Sequence, residues 1–334
     1  MIKELSRILP ERLPLAQARE LAEEMERDIL LGAKGAISDA TRHLAQRPGK
    51  GARAYLLLCS SADENMEAPR DAVYAACALE LFHLATLVHD DVIDDADTRR
   101  GIQSIQSRHG KKSAVIIGDY ILCLSMGTLS KILDGRSPEE ALPFRSCIQS
   151  LMGVCLGEFS QWLNSGNLSL DAFEYLRIVS GKTAELFRVA AMAGAALGGA
   201  SPREARKAGW VGFDIGIVFQ IIDDCKDYEQ TEQTARKPVK KDLPQGVVTM
   251  PLIMAMAKQP SLALAASAAI KGERDSQEVA RLVGEAGGVA QAKALAMRFA
   301  QKAERILETL EASHQRQALS EILSRALQAA EKFG

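Results

Sequence analysis

Six cysteines include no C-x-x-C, no continuous apolar core opens the chain, and neither sign of charge is in large excess. Each absence removes a class. Cys59, Cys77, Cys123, Cys147, Cys155 and Cys225 mostly sit in apolar helical runs. They are expected to be buried, reduced thiols of a cytoplasmic protein, which excludes a disulfide framework. The opening MIKELSRILPERLP lacks the apolar centre of a secretory leader. No stretch approaches the apolar length that spans a bilayer, so no transmembrane segment is expected. A formal net charge of −2 gives no reason to expect nucleic acid. Paired strands are missing too: VVTMPLIM and AVIIGDYILCL have strand propensity but no partner bounded by hairpin turns.

What is present is helical period, almost everywhere. Leu15, Ala18, Leu21, Met25 and Ile29 recur at helical spacing after Pro14, with acids on the other face. A shorter helix is expected over Ile37 to Ala45, then a loop over Arg47 to Arg53. No proline intervenes from Pro69 to Pro138, which predicts long helices over Arg70 to Asp95 and Lys112 to Leu133. Further helices are expected over Pro138 to Leu163, Asp171 to Leu197 and Pro202 to Tyr228. Glu229 to Gly246 is polar, lysine-rich and carries Pro238 and Pro244, and is expected to be a loop over something. Short helices follow to Ala269, then amphipathic ones over Gly288 to Ser313 and Gln315 to Lys332. The fold class predicted is all-α, a single domain over 1–334, without repeats.

The chemistry concentrates in Leu81 to Gly101, LFHLATLVHDDVIDDADTRRG. Asp90, Asp91 and Asp94 form D-D-x-x-D at the end of an apolar helical run, with Asp90 and Asp94 stacked on one face. Two carboxylates at that spacing repel by about 3 kcal/mol at an effective dielectric near 20, so they call for a counter-charge. Arginines or divalent metals can supply it. Hard oxygen ligands with free coordination positions suit Mg²⁺ shared with a phosphate. FQIIDDCKDY repeats the pattern at Asp223, Asp224 and Asp227. Facing one another across a cavity, the two clusters could hold several Mg²⁺ ions around one diphosphate.

The paired motifs, Asp90-Asp91-x-x-Asp94 with Arg99-Arg100-Gly101 and Gln220-x-x-Asp223-Asp224-x-x-Asp227, closely resemble the trans-isoprenyl diphosphate synthase (polyprenyl synthetase) family. The resemblance runs from about Arg47 to Leu252. It implies an antiparallel isoprenoid-synthase helical bundle around an apolar cavity. It also implies a Mg²⁺-dependent prenyltransferase, with three ions when diphosphate is bound. By resemblance, Lys50, Arg53, His83 and Arg100 bind isopentenyl diphosphate, while Arg99, Lys182 and Lys237 bind the allylic diphosphate. Thr183 and Gln220 stand beside the forming carbocation. Glu158 and Gln161 share a helical face that could support the site. Ala85 and Thr86 are small where short-chain members often carry aromatics, which resembles the medium- and long-chain synthases, with Phe82 one turn deeper as a further stop.

Some positions depart from the family pattern. Gly51, Ala54, Gln103, Ser104, Gln106, Arg236, Lys240 and Val247 replace its usual residues, which puts isopentenyl diphosphate affinity, the closing loop and independence from a partner in question. The alternatives are a farnesyl or geranylgeranyl synthase, a class I terpene cyclase, or one subunit of a heteromeric synthase. A homodimer is expected, with peripheral membrane contact where an apolar product leaves.

Overall fold

Residues buried on every side, Ala72 to Phe82, form the first half of the helix that carries Asp90. A helix apolar all round belongs inside the molecule. Beyond His83 the burial becomes one-sided, so this helix leaves the core as it reaches the aspartates. The computed structural model describes residues 10–46, 49, 51–99, 101–133, 142–229 and 242–328, with the backbone alone for 142–150.

Among the described residues the α-helices are α1 Leu15–Leu31, α2 Ser38–Ala45, α3 Ala52–Ser61, α4 Arg70–Ile93, α5 Ile105–His109, α6 Lys111–Leu133, α7 Leu142–Leu163, α8 Ala172–Val179, α9 Glu185–Leu197, α10 Pro202–Glu229, α11 Met250–Lys258, α12 Leu262–Ile270, α13 Ser276–Glu285, α14 Gly288–Leu307 and α15 Ser313–Leu327. Two short antiparallel pairs accompany them, β1 Arg12–Pro14 with β2 Glu67–Pro69, and β3 Thr98–Arg99 with β4 Ile102–Gln103. The all-α expectation therefore holds. The strand-like runs VVTMPLIM and AVIIGDYILCL contribute to helices, because packing against neighbours outweighs β propensity.

Packing runs as a chain of neighbours: α6 on α4, α4 on α3, α3 on α9, α9 on α10 and α10 on α14. Close approach is decided by glycine. A Cβ on Gly212 would meet Phe187 O at 2.5 Å, and one on Gly216 would meet Ala184 Cα at 2.7 Å. Both sit on the α10 face against α9, so the two helices pack almost backbone to backbone.

Several expectations need correction. Arg53 lies inside the first turn of α3, not in a loop, and α13 was not foreseen. The stretch expected as one helix over Asp171 to Leu197 is interrupted by a π-helical turn at Ser180–Ala184. Cys59, Cys77 and Cys225 are buried, but Cys123 and Cys155 are exposed, because α6 and α7 each keep one apolar face outward. Two helices, α4 and α6, are by length and composition apolar enough to cross a membrane. The first lies mostly inside the molecule and the second mostly at its surface.

Candidate active site between two aspartate-bearing helices

Asp90 and Asp91 occupy the last turn of α4, and Asp94 caps it, donating its backbone N–H to Asp90 O at 2.8 Å. The chain then doubles back through β3 and β4. Gly101, at φ 78°, takes a left-handed position in their turn that suits glycine. The return brings Arg99 Nε to 2.6 Å from Asp91 Oδ1, so Asp91, only 3% exposed, already has a cationic partner. Arg100 lies outside the described residues, as do Lys50 and Lys237.

The departures at 103, 104 and 106 are accommodated here. Ser104 Oγ caps α5 by accepting from Ser107 N at 3.1 Å, and Gln106 Nε2 donates to Ala96 O at 2.9 Å. Gln103 needs only its carbonyl, which accepts from His43 Nε2 at 2.7 Å. Arg108 then bridges His43 Nδ1 and Asp39, at 3.3 Å and 3.0 Å. The arginine hairpin is thus pinned to α2.

Lys182 and Thr183 lie in the π turn Ser180–Ala184, between α8 and α9. Such bulges re-aim side chains relative to the helices on either side. The turn is pressed against α7, where a Cβ on Gly157 would fall 2.2 Å from Lys182 N. Glu158, the next residue, reaches Lys182 Nζ at 2.7 Å. Asp90 lies beside this pair. Its carboxyl is pushed up to about 7 by burial first and then by the Glu158 carboxylate, while Lys182 and Arg99 oppose the shift.

Thr183 Oγ1 donates to Gln220 Oε1 at 2.8 Å, and Gln220 Nε2 donates to Asp224 Oδ1 at 2.8 Å. Tyr175 Oη donates to the other oxygen, Asp224 Oδ2. Asp224 is 4% exposed, and burial pushes it up to about 7 despite these two donors. Glu158 is thus paired with Lys182, Thr183 is linked through Gln220 to Asp224, and Asp90 of the first motif feels the charges of Glu158 and Lys182.

Asp223 points outward, its side chain 56% exposed, with Lys226 Nζ at 3.8 Å. Asp227 shares a hydrogen bond with a carboxylate outside both motifs, Asp242. Burial and the neighbouring Asp227 push Asp242 up to about 8, and Asp227 is raised by burial as well. Asp242 is a site residue that the D-D-x-x-D pattern misses. Its one signal is its place in the segment RKPVKKDLPQG, which also carries Lys237. Tyr175, seven residues before Lys182, carries no sequence signal at all. Cys225 turns away from the cluster, Sγ lying 4.0 Å from Val289 O, in keeping with a spacer.

Seven residues before Asp90, and so on nearly the same face of α4, His83 meets Arg53, Nε2 to Nη1 at 3.1 Å. Gly51 precedes them at φ 64° and starts α3, whose N-terminal dipole favours an anion. Arg53 also lies over the Phe187 ring, 5.0 Å from its centroid. Glu80 does not face this site. Its Oε1 accepts Ala54 N at 3.0 Å and so secures the start of α3.

The three chain-length positions separate. Ala78, Phe82, Ala85 and His89 form one stripe of α4, and the stripe faces α6: Ser125 Oγ donates to Ala78 O at 2.6 Å, and His89 Nε2 lies 3.2 Å from Val115 O. Ala85 is 1% exposed in this seam, and Phe82 is buried beside it. Thr86 lies one residue further round toward Asp90, half-buried, its hydroxyl donating to His83 O at 2.8 Å.

Among the described residues no three His, Cys, Asp or Glu side chains converge as a ready-made metal cage. The donors near the cleft are carboxylate oxygens, and Mg²⁺ binds through one or two carboxylates with phosphate and water completing its shell. The carboxylates of both motifs, Asp90, Asp91, Asp94, Asp223, Asp224 and Asp227, are of the type that fits that manner of binding.

A family model described as Polyprenyl synthetase matches residues 34–286. The chain is 36% identical over 244 residues to heptaprenyl diphosphate synthase component 2 of Bacillus subtilis, covering 73% of this chain and 66% of that protein. It is 32% identical over 303 residues to the protein of the same name from Geobacillus stearothermophilus, covering 90% and 92% of the two. The crystal structure of heptaprenyl diphosphate synthase from Staphylococcus aureus superposes with a TM-score of 0.83 at 27% identity, covering 95% of this chain and 99% of that one. Members of this family are Mg²⁺-dependent prenyltransferases that use isopentenyl diphosphate and an allylic diphosphate. With its two aspartate motifs and, between them, Lys182, Thr183 and Gln220, the chain belongs to the polyprenyl synthetase family.

Proposed function

We propose that this chain condenses isopentenyl diphosphate with an allylic diphosphate and extends it to a medium- or long-chain polyprenyl diphosphate. The observation that carries the reading is the placing of Lys182 and Thr183 between the motifs: Lys182 acts electrostatically on Asp90, and Thr183 reaches Asp224 through Gln220.

In the reaction the allylic C1–O bond breaks, C1 bonds to the terminal alkene carbon of isopentenyl diphosphate, and a proton is lost to the departing diphosphate. Lys182 and Arg99 bind the leaving group, joined by Lys237. Asp90, Asp91, Asp94, Asp223, Asp224 and Asp227 would hold Mg²⁺, with three ions expected, which when bound would neutralise charge on the leaving group. Thr183 and Gln220 direct oxygen dipoles toward the allylic cation. Arg53 and His83, with Lys50 and Arg100, grip the isopentenyl diphosphate. Apolar walls keep water from the cation.

One surface favours assembly of the chain into an oligomer. Met152, Leu156, Phe159, Trp162 and Leu163 of α7 and Ile116 of α6 are more than half exposed. An apolar area of that kind belongs at an interface, and a second copy of this chain is the proposed occupant. The compartment proposed is the cytoplasm.

The test is incubation of the purified chain alone with labelled isopentenyl diphosphate, Mg²⁺ and each short allylic primer, with light scattering for oligomeric state. A single medium or long product class from a dimer is expected. No product until another polypeptide is added would favour the heteromeric reading.

A further inference from the structure

Both oxygens of Asp224 are engaged by the protein's own donors, Gln220 Nε2 on Oδ1 and Tyr175 Oη on Oδ2. Tyr175 is 4% exposed on α8, two turns ahead of Lys182. Because Thr183 donates to Gln220, the links close a ring: α8 to α10 through the phenol, then α10 back to the π turn through the amide and the hydroxyl. A buried phenol needs an acceptor, and a backbone carbonyl would satisfy it. Here the acceptor is a carboxylate of the metal-binding motif, 49 residues away in sequence.

We propose that Tyr175 is a positioning residue for the metal–diphosphate site. Its hydroxyl orients Asp224 and, through Gln220, the Lys182–Thr183 turn, without touching substrate. This rests on the prenyltransferase reading above. The physical basis is that a carboxylate held by two fixed donors presents its remaining lone pairs in one direction. Partners of this outer kind typically alter metal affinity 10- to 100-fold when removed. Asp223, one residue earlier and largely exposed, has no comparable constraint from α8.

The experiment uses the full chain and inorganic pyrophosphate with Mg²⁺, titrated by calorimetry, so the readout does not depend on turnover. Tyr175→Phe keeps the ring and removes only the oxygen. It should weaken Mg²⁺–pyrophosphate binding about 10-fold or more and raise half-saturating Mg²⁺ to match, leaving KM for isopentenyl diphosphate within about twofold. The change should add nothing in an Asp224→Ala background, because the hydroxyl then has no carboxylate to orient. Ile178→Val, a packing change on the same buried face of α8, controls for lost stability. It should lower the melting temperature without moving the pyrophosphate constant. An unchanged constant in Tyr175→Phe, a full further loss in the Asp224→Ala background, or an equal shift in Ile178→Val overturns the proposal. Failure of the parent protein to bind Mg²⁺–pyrophosphate counts instead against the prenyltransferase reading.

Discussion

Lys182 Nζ stands 2.7 Å from Glu158 Oε2, so the cation assigned to the leaving diphosphate is held by a carboxylate before substrate arrives. The same carboxylate is the like charge that acts most strongly on Asp90, and it raises that group's affinity for protons. One lysine and two acids from three helix segments thus form a single electrostatic unit, which ties substrate binding to metal binding.

Acidity should therefore compete with metal. Asp90 and Asp224 sit at about 7 and Asp242 at about 8, all raised chiefly by burial from an ordinary 3.8. The folded chain keeps protons that the unfolded chain has released, so these groups make the metal-free protein less stable as pH rises from 3.8 through about 8. Mg²⁺ with pyrophosphate requires the ionised forms, so half-saturating Mg²⁺ should rise as pH falls from about 8 to about 6. Glu158→Gln removes the like charge on Asp90, and should lower the Mg²⁺ requirement at the acid end. Calorimetric titrations at the two pH values check both signs. A requirement that does not change with pH is incompatible with ionisation of these buried acids on binding.

Asp90→Ala and Asp223→Ala should each cut turnover by about a hundred- to a thousandfold, the scale typical of lost preorganised charge stabilisation, with helical content unchanged by circular dichroism. Both side chains stand at the rim of the core and not inside it. Near-parent activity with Mg²⁺ in either variant would mean the two clusters do not serve one leaving group.

The two diphosphate sites should separate kinetically. Arg53 pairs with His83, whereas Lys182 pairs with Glu158. Arg53→Ala should chiefly raise KM for isopentenyl diphosphate, and Lys182→Ala should chiefly lower kcat, since only the leaving group gains charge in the transition state. Matching changes in both constants for both variants would show that the site assignments are wrong.

Gly157→Ala should disturb the chemistry from outside the first motif. The added Cβ would lie 2.2 Å from Lys182 N, and the π turn must yield. Overpacking of this kind costs about 1–3 kcal/mol, and kcat should fall as Lys182 is displaced. Gly284→Ala, with nothing within 4 Å, should leave kcat unchanged and stabilise α13 slightly, by roughly 0.5–1 kcal/mol. Thermal melts and initial rates on the pair separate the two effects.

Product length should respond more cleanly at Thr86 than at Ala85. Thr86 is half-buried on the aspartate side, while Ala85 fills the seam with α6. Thr86→Phe should shorten the product with little loss of stability. Ala85→Phe should part the seam, lowering the melting temperature as well as shortening the product. Mass analysis of the hydrolysed alcohols compares the three proteins. Identical distributions from all of them would show that the tail does not descend past this part of α4.

The sequence by itself determined the helical class, the two D-D-x-x-D helix ends and the cationic residues around them. These are local signals: period, proline spacing, and like charges within one turn. Contacts between distant segments were decided only by the tertiary structure. Nothing near Asp91 in the first motif announces that Arg99 folds back onto it, and nothing near Asp224 points to Tyr175. The residues of the π turn have helical propensity, so sequence alone predicts ordinary helix there. In the fold the turn lies where Gly157 meets Gly181, two glycines on different segments. Asp242 joins the second cluster for the same reason: its chain passes over the end of α10, and burial beside Asp227 gives that carboxyl its proton affinity. Periodicity reports which way a residue faces along its own helix, but the neighbour it meets there depends on how separate helices pack.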